Sequence, residues 1–259
     1  MVDFALGDKV ILVTGGGSGI GREVCLQAAE NGARVAVLDV SQDAADAVTA
    51  EIKQRGGVAA ALTVDVRDEQ QTTSAVTRAE ELLGPLDGVV ACAGISRPAP
   101  AVEMPLQLWE QVIDINLTGV FLTTKIAGAR LLERGGSVIV VSSVDGIGGQ
   151  ADRVHYSASK FGVAGIVKTL AIEWGRRGVR VNAVAPGAVD TPLLRQIHSE
   201  QMIADNILVR TPIGRLSSAA DQAAAIMFFL SDASTYVTGT VLPVDGGLTA
   251  GCFNNEPLA

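Results

Sequence analysis

The sequence is poor in aromatic residues, histidine, cysteine and net positive charge. Of its 259 residues only 4% are Phe, Trp or Tyr, so an aromatic platform for stacking nucleic-acid bases has little to be built from. Lys and Arg number 20 against 28 Asp and Glu, a formal charge of −8. Nucleic acid and anionic membrane surfaces both select for the opposite sign, so neither is an expected partner. The three cysteines, Cys25, Cys92 and Cys252, form no CxxC pair. That argues against a disulfide framework or a thiolate zinc site and fits a reducing, cytoplasmic compartment. No His-x-x-x-His pair or acidic cluster has ligand spacing, so no catalytic metal is expected. The opening residues MVDFALGDKV carry Asp3 and Asp8 and lack the basic-then-apolar pattern of a secretion signal. The longest uninterrupted apolar runs, such as 223–230, are too short to cross a bilayer.

What is present is a hydrophobic fraction of 48% and 29 glycines, which suits an aliphatic core joined by tight turns. Short apolar β-branched runs predict strands at 9–14, 33–39, 58–64, 87–92, 137–142, 180–185 and 240–244. Between them, helical patterns cover 20–31, 44–54, 69–83, 105–132 (bent near Gly119), 155–174 and 219–230. Strands apolar on both faces belong in a parallel sheet covered on both sides. Strict alternation of strand and helix then predicts an α/β, doubly wound sheet of about seven strands in one domain spanning 1–259. The stretch 191–216 is long for a connection inside such a domain. It reads either as a lid over an apolar substrate or as ordinary packing against the sheet.

The segment TGGGSGIG at 14–21 lies between the first strand and the first helix. Glycine at Gly15 and Gly19 permits a tight turn to which a pyrophosphate can come close, and Gly21 lets helix and strand pack tightly. The helix that follows offers free N–H groups and the positive end of its dipole. Asp39 closes the second strand 18 residues after Gly21, where a carboxylate accepts hydrogen bonds from a ribose diol. A 2′-phosphate would meet like charge there, and no Lys or Arg follows at 40–42, so the expected cofactor is NAD rather than NADP. A plain role for Asp39 in capping the next segment is the alternative.

Tyr156 and Lys160 stand at i, i+4 near the start of a helix, which places phenol and ammonium on one face. A phenol with an ordinary pKa near 10 is a poor base at neutral pH, and a neighbouring ammonium favours its ionised form. The pair suits proton transfer at an alcohol oxygen. Ser143, at the end of the fifth strand, can donate to a carbonyl oxygen and polarise it. The polar run before Tyr156 (Asp145, Gln150, Asp152, Arg153 and His155) offers groups for a second substrate oxygen, with Gln150 the chosen candidate. His155 and His198 read as solvated or core-capping residues.

These motifs, with VDV at 64–66, ACAG at 91–94, Asn116, SS at 142–143, PGAVDTP at 186–192 and VDGG at 244–247, resemble the short-chain dehydrogenase/reductase family over essentially the whole chain. The resemblance implies a Rossmann-type fold and hydride transfer between a nicotinamide and a secondary alcohol/ketone pair. It implies Tyr156 as general acid/base, Lys160 as the group that lowers its pKa and holds the nicotinamide ribose, Ser143 as the group that orients the substrate, and Asn116 as support for a water-linked proton path. Cofactor contacts are implied at Gly15, Ser18, Gly19, Ile20, Gly21, Asp65 and Val66. Further contacts are implied at Ala93, Gly94, Pro186, Gly187, Val189 and Thr191, with Asp65 facing adenine. Asp39 turns the expectation toward sugars, polyols, hydroxysteroids or cyclic alcohols as small-molecule substrates. A 3-oxoacyl-[acyl-carrier-protein] reductase-like enzyme is the alternative. The family also implies a homotetramer, or a dimer, built through the two long central helices and the C-terminal strand, where Ala158, Gly162, Ala164 and Gly165 could allow close helix contact or equally pack within one subunit. Where relatives carry Asn-Asn-Ala-Gly, this chain has Ala91-Cys92-Ala93-Gly94, with Cys92 filling space as a small hydrophobe. The tail 251–259 either covers a subunit surface or is disordered.

Overall fold

The central strand shows how the fold is assembled. In a computed structural model, which describes residues 4–251, β1 (Val10–Thr14) is buried along its whole length. Its side chains alternate between two cores: Val10 and Leu12 enter one, Ile11 and Val13 the other. It pairs in parallel with β2 (Arg34–Asp39) on one side and β4 (Gly88–Ala91) on the other, Leu12 standing opposite both Ala36 and Val89. With β3 (Val58–Thr63), β5 (Gly136–Val141), β6 (Val179–Pro186) and β7 (Val241–Val244), the order is β3-β2-β1-β4-β5-β6-β7, all parallel.

Helices cover both faces. α1 (Gly19–Glu30), α2 (Gln42–Gln54) and α8 (Ala219–Leu230) bury Val24, Ile52, Ile226 and Phe229 against one. α3 (Glu69–Leu83), α5 (Gly119–Leu131) and α6 (Val154–Trp174) bury Val76, Leu131, Val163 and Val167 against the other. Each such side chain contributes about 1.5–3 kcal/mol of hydrophobic stabilisation. The chain reverses its winding between β1 and β4, which opens a crevice at the C-terminal ends of these strands.

Two details differ from the sequence expectations. The long fourth helix does not simply bend at Gly119. α4 (Leu106–Ile113) passes through a π turn, Asp114–Thr118, before continuing as α5. The widened turn brings Gly119 against Val66, where an added Cβ would stand 2.7 Å from Val66 Cγ2. Helix 106–131 is long and apolar enough to span a bilayer, but half of its most apolar window is buried within the domain. The segment after β6, read from the sequence as one long connection, has helical structure of its own. It forms α7 (Pro192–Ile197), capped by the Thr191 side chain, and a string of single turns from Glu200 to Arg210. Gly162 packs within the subunit, against Leu117, whereas an added Cβ on Gly165 would meet nothing. The tail from residue 252 onward, with Cys252, lies outside the described residues.

Candidate active site

The crevice holds a cavity of about 760 Å³, within the size range of small-molecule and cofactor sites. At its centre the chain leaves β1 through Gly15, at φ +67°, where an added Cβ would lie 2.8 Å from the Ala93 backbone. Ser18 precedes α1 but makes no side-chain capping bond, and no acidic residue occupies the first turn. The N–H groups at this helix start are left for an anion, and Gly15, Ser18, Gly19 and Ile20 all line the cavity. Gly21 does not. An added Cβ there would stand 2.1 Å from the Gly15 carbonyl oxygen, so its role is to seat α1 on the turn.

One arm of the cavity is lined by Asp39, Asp65, Val66 and Arg67. Asp39 is fixed by two backbone donors, Gly17 N to Oδ2 and Ser41 N to Oδ1, both at 3.0 Å. Arg22, in the first turn of α1, is committed to Glu51 at 2.5 Å. The Asp65 carboxylate pairs with Arg67 at 2.5 Å, which holds it below the usual carboxylate range. Any adenine contact by Asp65 must form beside that ion pair. An uncapped helix start and a fixed carboxylate at the end of β2 fit the pyrophosphate and ribose of a dinucleotide.

The other arm joins the ends of β4, β5 and β6 to α6. Ala93, Gly94, Ser143, Gln150, Tyr156 and Lys160 line it, as do Pro186, Gly187, Val189 and Thr191. The side chains of Ser143 and Tyr156 share this wall, and Ser143 Oγ accepts from Asp145 N at 3.1 Å. Lys160 is buried, donates to Val141 O at 2.8 Å, and holds its Nζ 5.5 Å from the centre of the Tyr156 ring. Burial pulls its ammonium down to about 8. Burial likewise pushes the Tyr156 phenol up to about 12, with Asp145 adding to the rise and the Ser143 hydroxyl and Arg153 opposing it. Lys160 does not lower the phenol in the free protein, because an ammonium that gives up its proton near 8 is uncharged where the phenol titrates.

Asn116 lies behind this arm and not on its wall. It is fully buried in the π turn, its Oδ1 accepting from Ile95 N at 2.9 Å and its Nδ2 donating to Ile95 O at 2.8 Å. Its side chain therefore braces the loop after β4, and a Cβ added to Gly94 would reach 3.4 Å from Asn116 Oδ1 and 3.9 Å from Lys160 Nζ. With its amide turned to donate, Gln150 reaches both oxygens of Asp145, at 3.1 and 3.2 Å. Burial raises the Asp145 carboxyl, against the opposing charges of Arg153 and Lys160. Cys92 lines the cavity with its thiol pushed up to about 12 by burial, the opposite of what a nucleophilic cysteine needs.

The two histidines part company. His155 is fully buried; Nδ1 accepts from Tyr156 N at 2.8 Å, so Nε2 carries the proton donated to Arg97 O at 2.9 Å. His198, expected to be solvated or core-capping, instead lines the cavity, and Arg153 Nη2 donates to its Nε2 at 3.0 Å. Leu248 and Thr249, beyond the last strand, also reach the wall, where Asp245 accepts from Gly247 N and Thr249 N and folds the turn back. Among the described residues no group of three or more His, Cys, Asp or Glu is placed to hold a metal ion.

The comparisons agree with this geometry. A family model described as enoyl-(acyl carrier protein) reductase matches residues 15–249. A cis-4-hydroxycyclohexanecarboxylate dehydrogenase from Sinomonas cyclohexanicum is 41% identical over 248 residues, 95% of this chain and 98% of that one. A 3-oxoacyl-[acyl-carrier-protein] reductase from Thermotoga maritima is 39% identical over 241 residues, covering 93% and 97%. A Beutenbergia cavernae protein crystallised with NADP at low occupancy superposes with a TM-score of 0.91 at 34% identity, over 96% of this chain and all of its own. A glycine turn on an uncapped helix, a Ser–Tyr–Lys set one cavity arm away and full-length relatives all point the same way: the chain belongs to the short-chain dehydrogenase/reductase family of oxidoreductases.

Proposed function

We propose that this protein transfers hydride between NAD(H) and a secondary alcohol/ketone pair on a cyclic alcohol, polyol, sugar or hydroxysteroid. The observation that carries the reading is that Ser143, Tyr156 and Lys160 line one cavity with Asp39 and the start of α1, Lys160 Nζ standing 5.5 Å from the centre of the Tyr156 ring. Tyr156 moves the proton at the substrate oxygen, Ser143 orients that oxygen, and Lys160, anchored on Val141, holds a ribose hydroxyl. Asn116 keeps the loop carrying Gly94 in place. When bound, the oxidised nicotinamide supplies the hydride acceptor and a positive charge that favours the phenolate. Asp39 takes the ribose diol, and with Arg22 committed to Glu51 the pocket offers a 2′-phosphate no free cation at that turn. Segment 191–216 serves as the lid, supported by Leu193, Leu194 and Ile197 on the cavity wall.

Names among the relatives, dehydrogenases of cis-4-hydroxycyclohexanecarboxylate and of D-threitol, support the ring and polyol classes. The homotetramer reading is supported by Phe121, Phe161 and Ile172, which stand exposed on α5 and α6. The free thiols of Cys25 and Cys92 support a reducing compartment, the cytoplasm. The Thermotoga relative favours a second reading, reduction of 3-oxoacyl thioesters. The test is to mix the protein with NAD or NADP and a panel of cyclic alcohols and polyols, and to follow reduced-nicotinamide absorbance. Turnover with NAD on the panel is expected. Silence on every alcohol, with rapid oxidation of NADPH by a 3-oxoacyl thioester, would establish the second reading instead.

A further inference from the structure

Arg153 is not used by the mechanism above, yet it lines the substrate arm with its guanidinium 5.9 Å from the centre of the Tyr156 ring. Two of its N–H groups are taken, one by Ser96 Oγ at 3.2 Å and one by His198 Nε2 at 3.0 Å. Both acceptors are neutral. Arginine donates and never accepts, so His198 must present an unprotonated Nε2, consistent with burial and the adjacent guanidinium lowering its pKa. A guanidinium has five N–H donors, so three remain without a protein partner, and no carboxylate stands in ion-pair contact with it among the described residues. The wider field agrees. In a chain of net charge −8, the described cavity wall carries Arg67, Arg153, Lys160 and Arg210 against Asp39, Asp65 and Asp145, with Arg67 paired to Asp65 and Asp145 the one of these carboxylates closest in sequence to Arg153. That carboxylate already faces the Gln150 amide, and its charged form is disfavoured by burial.

We propose that Arg153, held by Ser96 and His198, is the receptor for a carboxylate on the substrate, so that the protein acts on a compact hydroxy acid. This rests on the dehydrogenase reading and adds to it a second anchor, an anion across the cavity from the reacting hydroxyl. The short separation between Arg153 and Tyr156 suits a carboxylate and a hydroxyl carried on one small ring or a few bonds apart. Ser96 on the loop after β4 and His198 at the end of α7 each take one terminal nitrogen of the guanidinium, so the receptor is fixed before a carboxylate arrives.

The experiment compares a hydroxycyclohexanecarboxylate with its neutral carboxamide as substrates, and titrates the non-reacting cyclohexanecarboxylate and cyclohexanecarboxamide into the NAD-supplied protein by calorimetry. The native protein should favour the carboxylate by about 10–100-fold, mainly in KM, the range of a charge-assisted bidentate pair. Arg153→Gln should collapse that preference, and Arg153→Lys should restore part of it. Equal use of carboxylate and carboxamide by the native protein, which needs no variant, would overturn the inference while leaving the dehydrogenase reading intact. Equal loss on both substrates in Arg153→Gln would also overturn it, because Arg153 would then be only a clamp between the two loops. Arg153-dependent carboxylate binding without turnover of any alcohol would support the anion site and refute the dehydrogenase reading.

Discussion

Replacing Lys160 with Met should stabilise the cofactor-free protein even as it abolishes activity. Burial lowers the Lys160 ammonium from 10.5 to about 8. A shift of that size means that the folded protein carries roughly 3 kcal/mol of unfavourable free energy at neutral pH, where the side chain is charged in both states. Between pH 8 and 10.5 the folded protein has released this proton and the unfolded chain has not, so stability rises with pH; above 10.5 the penalty is gone. Met fills a similar volume without charge. Its cost is the bond from Nζ to Val141 O, 2.8 Å long, which leaves a buried carbonyl short of a donor and takes back about 1–2 kcal/mol. The net gain at pH 7 is about 1–2 kcal/mol, or about 2–6 °C in Tm for a chain of this size. Thermal melts of native and Lys160→Met protein by circular dichroism at pH 7 and pH 10 read both the gain and its pH dependence. At pH 10 less than about 1 kcal/mol of the penalty is left, so the gap should close or change sign. A variant that melts well below the native protein at pH 7, or a gap unchanged between the two pH values, would refute the assignment of a desolvated ammonium at this position.

Asp39→Ala removes the ribose acceptor and leaves Gly17 N and Ser41 N without their partner. KM for NAD should rise about 10-fold or more while NADP gains relative to NAD, read from initial rates with both cofactors. Gly21→Ala forces a Cβ to within 2.1 Å of the Gly15 carbonyl. The turn must shift at a cost of about 1–3 kcal/mol, and equilibrium titration should show weakened NAD binding together with a lowered Tm.

Much of this architecture is legible in the sequence because both faces of each strand are buried. Runs such as 9–14 and 137–142 need no partner to be recognised, and the observed strands fall within a residue or two of them. The position of the glycine turn and of Asp39 at the end of β2 is legible because backbone conformation and strand length alone set it. Other features depend on distant parts of the chain. The π turn forms where Gly119 meets Val66, a contact no helical period reveals. The phenol of Tyr156 moves up rather than down because spacing shows that Lys160 is near but not that both groups are desolvated. Arg153 and His198 lie 45 residues apart, and only the return of α7 over the crevice joins them. His198 alone carried no local signal that set it apart from a surface histidine.

The central claim, that Tyr156 carries the proton in hydride transfer, is tested most directly by single-turnover reduction of bound NAD in Tyr156→Phe protein mixed with a cyclic alcohol substrate. The phenylalanine keeps the ring and removes only the hydroxyl. Hydride transfer should slow by at least about 10²-fold while NAD still binds, the scale of a lost general acid/base. A transfer rate equal to that of the native protein would contradict the account.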